Sequence, residues 1–400
     1  MQLGRTPSGE PISGHRVVVT GIGAVTCCGV GADALFAGLL DERFNDDRTI
    51  PDFDPSAFFG PKEVRRVDRF AQVSLAAAVE AFESSGISDL SGDRFGVIFG
   101  TGIGGMTTLT AQERVLSGKG ANRVSPFLAP MIMPNAGAAQ IAMRLGANGP
   151  VETVTTACAA GTHSLGAAAR LVASGRVDVA IGGGGEAVMD PLTFAGFANM
   201  TALSNSGISR PFDVDRDGFV MSEGAGALVL ESLDHALARG ATILAEVLGA
   251  ASTADAFHIT APREDGAGAA RCMELALLDA GLSPTDVGHI NAHGTSTPLN
   301  DRAEAVAISA VFGPEAPPVT SAKGVTGHSL GGAGAIEAVA SVMTIERSVI
   351  PPTAGLTNID PAIELDVVHG SARPLERPIV LSNSFGFGGH NGCLILGAFA

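Results

Sequence analysis

Four segments of the chain carry residue types that could do chemistry together. In Thr155-Thr-Ala-Cys158-Ala-Ala-Gly-Thr-His163 a cysteine follows a strand-like run, 151–154, and opens an alanine-rich helix. The positive end of a helix dipole lowers a thiol pKa and favours the thiolate, the form that attacks carbonyl carbon. Asn291-Ala-His293-Gly-Thr295-Ser-Thr297 places a histidine where a strand breaks into a loop of small residues. Lys323-Gly-Val-Thr-Gly-His328 does the same before a glycine-rich helix start, and Asn383-Ser-Phe385-Gly-Phe387-Gly-Gly-His390-Asn391 supplies a loop with two phenylalanines. A lone cysteine among apolar residues reads as core filling. Four such loops, each at a strand exit, fit one shared cleft in which histidines serve a cysteine nucleophile.

Two shorter motifs offer rival chemistry. Gly100-Thr-Gly102-Ile103-Gly104-Gly105 fits the dinucleotide glycine pattern after an apolar strand. A carboxylate is required about 20 positions on, and there the chain reads Ala121-Asn-Arg123-Val-Ser-Pro-Phe. The motif therefore reads as a glycine turn beside a packed site. Gly327-His328-Ser329-Leu330-Gly331 matches a hydrolase nucleophile elbow, and Asp360, Asp366, His369 and His390 follow in the required order. That elbow needs a strand ending at its first glycine, and Lys323-Gly-Val-Thr intervenes, so Ser329 is the weaker nucleophile.

The balance of 25 basic against 41 acidic residues gives a net charge of −16 with no basic block, a poor match for nucleic acid. A hydrophobic content of 46% and mean hydropathy of +0.30 exclude a disordered acidic chain. No uncharged apolar run reaches the roughly 18 residues of a membrane span, and the segment MQLGRTPSGEPISGH lacks a signal-peptide core. Cys27, Cys28, Cys158, Cys272 and Cys393 are too scattered for a disulfide framework, and no metal-ligand spacing occurs. A cytoplasmic, metal-free protein is expected, with Cys27 and Cys28 as packing residues.

These residues must be positioned by alternating elements. Short β-branched runs at 17–20, 95–99, 177–181, 227–230, 287–292, 319–322 and 379–382 read as strands. Segments 64–84, 159–173, 268–280, 301–310 and 332–345 read as helices. Apolar strands between helices predict an α/β layered fold. Glycine clusters at 100–105, 182–185, 331–334 and 386–389 are expected where strands hand over to loops or helices. A composition change near residue 240 suggests two halves, 1–240 and 241–400. The tetrapeptide His-Ser-Leu-Gly at 163–166 and 328–331 hints at duplication.

Taken together, the segments resemble the β-ketoacyl-[acyl-carrier-protein] synthases, the elongating branch of the thiolase-superfamily condensing enzymes. The matching stretches are Thr156-Ala-Cys158, Arg210-Pro-Phe-Asp with Arg216-Asp-Gly-Phe, Asn291-Ala-His-Gly-Thr-Ser-Thr-Pro, Lys323 with Gly-His328, Ile350-Pro-Pro-Thr and Asn383-Ser-Phe-Gly-Phe-Gly-Gly. The resemblance implies a five-layered αβαβα core of two duplicated halves, a homodimer, and substrates carried on the phosphopantetheine arm of acyl carrier protein, with no further cofactor. It implies that Cys158 holds the acyl chain, that His293 and His328 face the malonyl thioester oxygen, and that Lys323 and Glu337 support them. It further implies an oxyanion hole from the backbone N–H groups of Cys158 and Phe387, pantetheine contacts from Thr295 and Thr297, and an acyl pocket lined by Ile103, Phe385 and Phe387. Two histidines favour decarboxylative elongation over the initiating branch. Cys393 follows the last glycine pair, unlike the second cysteine of a thiolase.

Several positions depart from the family pattern. His390 stands where many members have threonine, a histidine there being familiar from mycobacterial long-chain synthases. The segment 203–210 is short, and Thr201 replaces a basic residue often used in carrier docking. Acidic carriers need a local basic patch on so acidic a protein. Lys62, Arg65, Arg66 and Arg69 recur at helical spacing, and Arg123 is expected to join them in docking the carrier. A polyketide ketosynthase, or a non-catalytic partner subunit of a synthase, would share much of this pattern.

Overall fold

A computed structural model describes residues 2–5 and 11–399. The first half supplies strands β1 (Val17–Thr26), β2 (Gly29–Val30), β3 (Phe95–Gly100), β4 (Val151–Glu152), β5 (Val179–Glu186) and β6 (Gly224–Ser232). Its main helices are α1 (Ala32–Asp41), α2 (Arg69–Ser84), α3 (Met106–Lys119), α4 (Ala136–Leu145) and α5 (Ala160–Ala173). The second half supplies β7 (Ala245–Ala254), β8 (His289–Asn291), β9 (Val319–Thr320), β10 (Ile379–Gly386) and β11 (His390–Gly397). Its main helices are α6 (Ala267–Ala280), α7 (Pro298–Phe312), the single turn α8 (Lys323–Thr326) and α9 (Ala333–Arg347).

The ten longer-range strands run in the order β9-β8-β10-β11-β7-β1-β6-β5-β3-β4. Outward from the middle, β1-β6-β5-β3-β4 and β7-β11-β10-β8-β9 show the same sequence of pairings: antiparallel, antiparallel, parallel, parallel. The two five-stranded units meet where Val17–Val19 pairs antiparallel with 245–247. Helices α5 and α9 lie against each other and touch strands of both units, forming the middle layer. The helix pair α2 and α4 covers the first unit from outside, and α6 with α7 covers the second. This is the five-layered αβαβα arrangement of a thiolase-like fold.

Two expectations fail locally, each for a visible reason. The glycine run 182–185 is not a strand exit; it lies inside β5. A Cβ on Gly184 would stand 2.6 Å from the Gly331 carbonyl oxygen, and one on Gly226 of the neighbouring strand 2.4 Å from the Ala335 backbone. Glycine at these positions lets the middle layer approach the sheet closely. The helix read over 64–84 is broken: Val64–Arg66 is a 3-10 turn, Val67 is extended, and α2 starts at Arg69. The Asp68 carboxylate accepts from the N–H groups of Phe70 (3.1 Å) and Thr108 (2.8 Å), so it caps α2 and fixes the break.

Candidate active site

Cys158 sits in a 3-10 turn, 157–159, that runs into α5 of the middle layer. Ala157 before it adopts φ of +49°, a conformation that costs a non-glycine residue roughly 1–3 kcal/mol and persists only where its surroundings hold it. His163, one turn into the helix, supplies a hold. Its Nε2 lies 3.0 Å from the Asn391 carbonyl oxygen, which only accepts, so Nε2 carries the proton and Nδ1 accepts from the Thr156 hydroxyl at 2.8 Å. Burial pushes the Cys158 thiol up to about 12, against the pull of the Lys323 charge and the Phe387 N–H. The thiolate expected from the helix dipole alone does not outweigh that desolvation.

The end of β10 closes on the same turn. A Cβ on Gly386 would meet the Thr156 carbonyl oxygen at 2.8 Å and the Cys158 nitrogen at 3.1 Å, so the close approach requires glycine. The Phe387 N–H faces the Cys158 sulfur. Two backbone N–H groups therefore flank the space beside the thiol. Half-buried Phe387 packs on Phe197 (6.4 Å between ring centres), Phe197 on Phe219 (5.3 Å) and Phe219 on His328 (5.3 Å), an aromatic row linking this loop to the histidines.

His293 and His328 come from loops following β8 and α8, with ring centres 5.4 Å apart and planes at 83°. Both are buried. Burial, and then the Lys323 charge, holds both well below the ordinary histidine range. The Lys323 ammonium donates to the His293 carbonyl oxygen at 2.6 Å, to its Nδ1 at 3.2 Å, and to Glu337 of α9. An ammonium has no acceptor, so His293 Nδ1 must accept and the ring proton stands on Nε2. Burial pushes the Glu337 carboxyl up to about 7 against the opposing pull of Lys323.

A cavity of about 820 Å³ is lined by Cys158, His293, His328, Thr295, Thr297, Ile103, Phe385 and Phe387. The Thr295 and Thr297 hydroxyls are 2.9 Å apart, and Thr297 also caps α7. Thr201 lines the cavity too, while Lys323 and Glu337 stand behind His293.

Sequence reasoning missed two buried carboxylates. Glu186, at the end of β5, accepts from the Thr101 hydroxyl (2.8 Å) and from the N–H groups of Gly102 (2.7 Å), Ile103 (3.2 Å), Gly104 (3.2 Å) and Gly331 (3.3 Å). The glycine-rich turn resembles a phosphate cradle because it is an anion cradle, and the chain's own carboxylate fills it. Glu304 of α7 accepts from the N–H groups of His293 and Gly294, both at 2.8 Å, and burial pushes it up to about 7. No motif marked either residue.

Other candidates lie elsewhere. Ser329 is buried outside the cavity lining. Its nominal partners are engaged: Asp360 with Arg216, Asp366 with Arg373, and His369 Nδ1 with the Val367 carbonyl. His390 lies edge-on to His163, 6.5 Å between ring centres. The short 203–210 segment is tied down by Asp217, which accepts from Ser204 and Ser206. Lys62, Arg65, Arg66 and Arg123 are exposed and do not line the cavity. Arg69 is not available alongside them, because both its Nε and Nη2 donate at 2.6 Å to the buried Glu223 carboxylate. Among the described residues, no cluster suited to a metal ion occurs and no helix is long and apolar enough to cross a membrane.

Comparison with known proteins identifies the family. Residues 46–236 match the beta-ketoacyl synthase N-terminal domain and residues 244–357 the C-terminal domain. A protein of Synechocystis sp. called 3-oxoacyl-[acyl-carrier-protein] synthase 2 is 47% identical, covering 94% of this chain and 96% of its own. One of the same name from Staphylococcus aureus is 43% identical, covering 96% and 98%. Among solved structures, the ishigamide ketosynthase/chain length factor superposes with a TM-score of 0.91 at 38% identity, covering 97% of this chain and all of that one. A beta-ketoacyl synthase from Burkholderia phymatum gives 0.89 at 33% identity, covering 96% and 100%. The chain belongs to the beta-ketoacyl synthase family.

Proposed function

We propose that the protein is a 3-oxoacyl-[acyl-carrier-protein] synthase of fatty acid elongation, a decarboxylating acyltransferase acting through an acyl-cysteine. The observation that carries this reading is the convergence of Cys158, His293 and His328 on one largely apolar cavity. Identities of 43–47% to synthases of that name support it.

In the first half-reaction Cys158 sulfur attacks the acyl thioester, and the carrier thiol leaves with the cysteine's proton. The N–H groups of Cys158 and Phe387 donate to the developing oxyanion between them. The acyl chain lies along Ile103, Phe385 and Phe387, and the pantetheine arm passes Thr295 and Thr297. In the second, malonyl thioester loses carbon dioxide and the electron pair moves into an enolate. Neutral His293 offers its Nε2–H to the enolate oxygen, with His328 beside it, and protonated imidazoles are not required. The enolate carbon then attacks the acyl carbonyl, the carbon–sulfur bond breaks, and the departing cysteine thiolate takes up a proton from water to restore the thiol. Lys323 and Glu337 act through His293 as positioning residues. All bonds are exchanged among thioesters and carbon dioxide, so no resident cofactor is invoked.

The partner is an acyl carrier protein, docking through Lys62, Arg65, Arg66 and Arg123; Arg66 packs over the Phe127 ring, which follows Arg123 closely. The chain acts as a homodimer, the terminal strand β4 being exposed at the sheet edge. Five free cysteines suit the reducing cytoplasm. The functional halves are 1–240 and 241–400.

The test is to supply acyl-loaded and malonyl-loaded carrier and follow the product by mass. One added two-carbon unit as a 3-oxoacyl thioester, lost in Cys158→Ala, supports elongation. Chains extended by several malonyl units would assign a polyketide ketosynthase, like the ketosynthase of the type II PKS complex AntDE:AntF, a structural neighbour. No product with any acyl donor would assign a non-catalytic partner.

A further inference from the structure

The turn between β1 and β2 consists of two cysteines, and its surroundings are not those of inert packing. Cys27 is 2% exposed and its Sγ lies 3.5 Å from the Val325 carbonyl oxygen and 3.7 Å from that of Thr326. Cys28 is part-exposed, with its sulfur 3.5 Å from the Arg43 carbonyl oxygen. Gly38 of α1 leaves room for that sulfur, since a Cβ there would stand 2.5 Å from it. Beside the pair lies Arg48, 3% exposed at φ of +57°. Its Nη2 donates to the Gly324 carbonyl oxygen at 3.3 Å, while Nε and Nη1 are buried without any hydrogen-bond partner.

The guanidinium stacks over the Phe44 ring, 3.3 Å from its centre, but its two unspent donors remain a cost that an anion would relieve. The only acidic side chains of the turn itself are the two thiols. The adjoining Cys27 and then Thr26 hold Cys28 below the ordinary thiol value despite burial, and Arg48 and Arg43 act in the same direction. Cys28 is thus the accessible, activated sulfur, and Cys27 stands next to it in sequence.

We propose that Cys27, Cys28 and Arg48 form a hydroperoxide-sensitive thiol site that closes into a reversible bridge and loosens the turn carrying Lys323. The Cys28 thiolate attacks the peroxide, the O–O bond breaks, and the leaving alkoxide or hydroxide takes up a proton, giving a sulfenic acid and an alcohol or water. The Cys27 thiol then displaces water from the sulfenic sulfur, forming the S–S bond. The two thiols supply the two electrons that reduce the peroxide. Neighbouring α-carbons are about 3.8 Å apart, closer than in ordinary disulfides, so the bridge is strained and readily reduced by thiols. Bridging withdraws the Cys27 S–H from Val325 and Thr326, within α8, whose first residue is Lys323.

The test uses Cys158→Ala protein, which removes the proposed nucleophile, treated with near-stoichiometric hydrogen peroxide. Peptide mapping after blocking free thiols should find the Cys27–Cys28 peptide about 2 Da lighter, restored by dithiothreitol and absent in Cys28→Ser. Hydrogen exchange of peptides spanning 323–328 should rise at least about threefold in the bridged form. Arg48→Met should slow bridging about fivefold or more, and Arg48→Lys, which keeps the charge, should slow it less. A peptide that stays reduced, one that passes directly to sulfinic acid, or unchanged exchange over 323–328 would overturn the proposal. The readouts concern thiols and backbone exchange, so they stand or fall separately from condensation activity.

Discussion

Lys323 grips His293 at two points, the backbone carbonyl oxygen at 2.6 Å and the ring Nδ1 at 3.2 Å. One ammonium thereby sets where the histidine sits and which ring nitrogen bears its proton. Its third donor is spent on Glu337, so a buried ion pair fixes the orientation of a group that must donate toward the cavity.

Removing one member of that pair leaves an uncompensated buried charge, a change that costs about 3–5 kcal/mol. Lys323→Met should lose stability on that scale by chemical denaturation. Lys323→Met with Glu337→Leu should recover most of it while condensation stays at least about a hundredfold down, because His293 has lost its grip. Recovered activity in the double variant would show that the pair serves stability alone.

His293 and His328 are held well below the usual histidine range by burial and by Lys323. Depressed folded values mean that protons bind the unfolded chain preferentially, so stability is lost as pH falls below the ordinary value near 6.5. In nitrogen-15 spectra of histidine-labelled protein, both rings should stay neutral as pH falls through the ordinary histidine value, with His293 protonated on Nε2. Titration of either ring near 6.5 would contradict this environment.

Glu304 carries the opposite sign. Burial raises its carboxyl from 4.5 to about 7, so the folded state binds the proton more tightly. Its contribution is fully present below 4.5 and is lost as pH rises through about 7, a span worth roughly 3 kcal/mol. Glu304→Gln should flatten that part of the stability–pH curve relative to the parent. Parallel curves would mean that the carboxyl stays ionised.

A Cβ on Gly386 would crowd the Thr156 carbonyl oxygen and the Cys158 nitrogen. Gly386→Ala should push the β10 loop off the turn and slow acylation by about a hundredfold or more, the scale of losing an oxyanion donor. Stability should fall much less, and rapid-quench acylation would separate the two. Undiminished acylation would remove these N–H groups from the chemistry.

Much of the fold is legible in the sequence. His293 directly follows β8, whereas Cys158 lies in a 3-10 turn beyond β4 and His328 follows the single turn α8 beyond β9. The expectation of strand exits holds only for His293, yet the segments that follow these strands do gather at one cavity. The strands were visible as apolar runs because burial on both faces leaves no alternation to hide them. What stayed hidden depends on distant partners. Nothing near Gly102 announces that Glu186, 84 residues on, fills its N–H cradle. Nothing near Arg69 announces Glu223, and so a residue counted toward a surface patch belongs to an internal pair. The break at Asp68 was invisible because its second ligand is Thr108. Helical spacing is a local signal, and these contacts are not local.

The central claim is that Cys158 is the acyl-carrying nucleophile. Intact mass and peptide mapping after incubation with a long-chain acyl carrier protein test it most directly, comparing the parent with Cys158→Ala and Ser329→Ala. The account predicts one acyl adduct on the Cys158 peptide, absent in the first variant and retained in the second. An adduct that maps to Ser329, or that survives in Cys158→Ala, would contradict it.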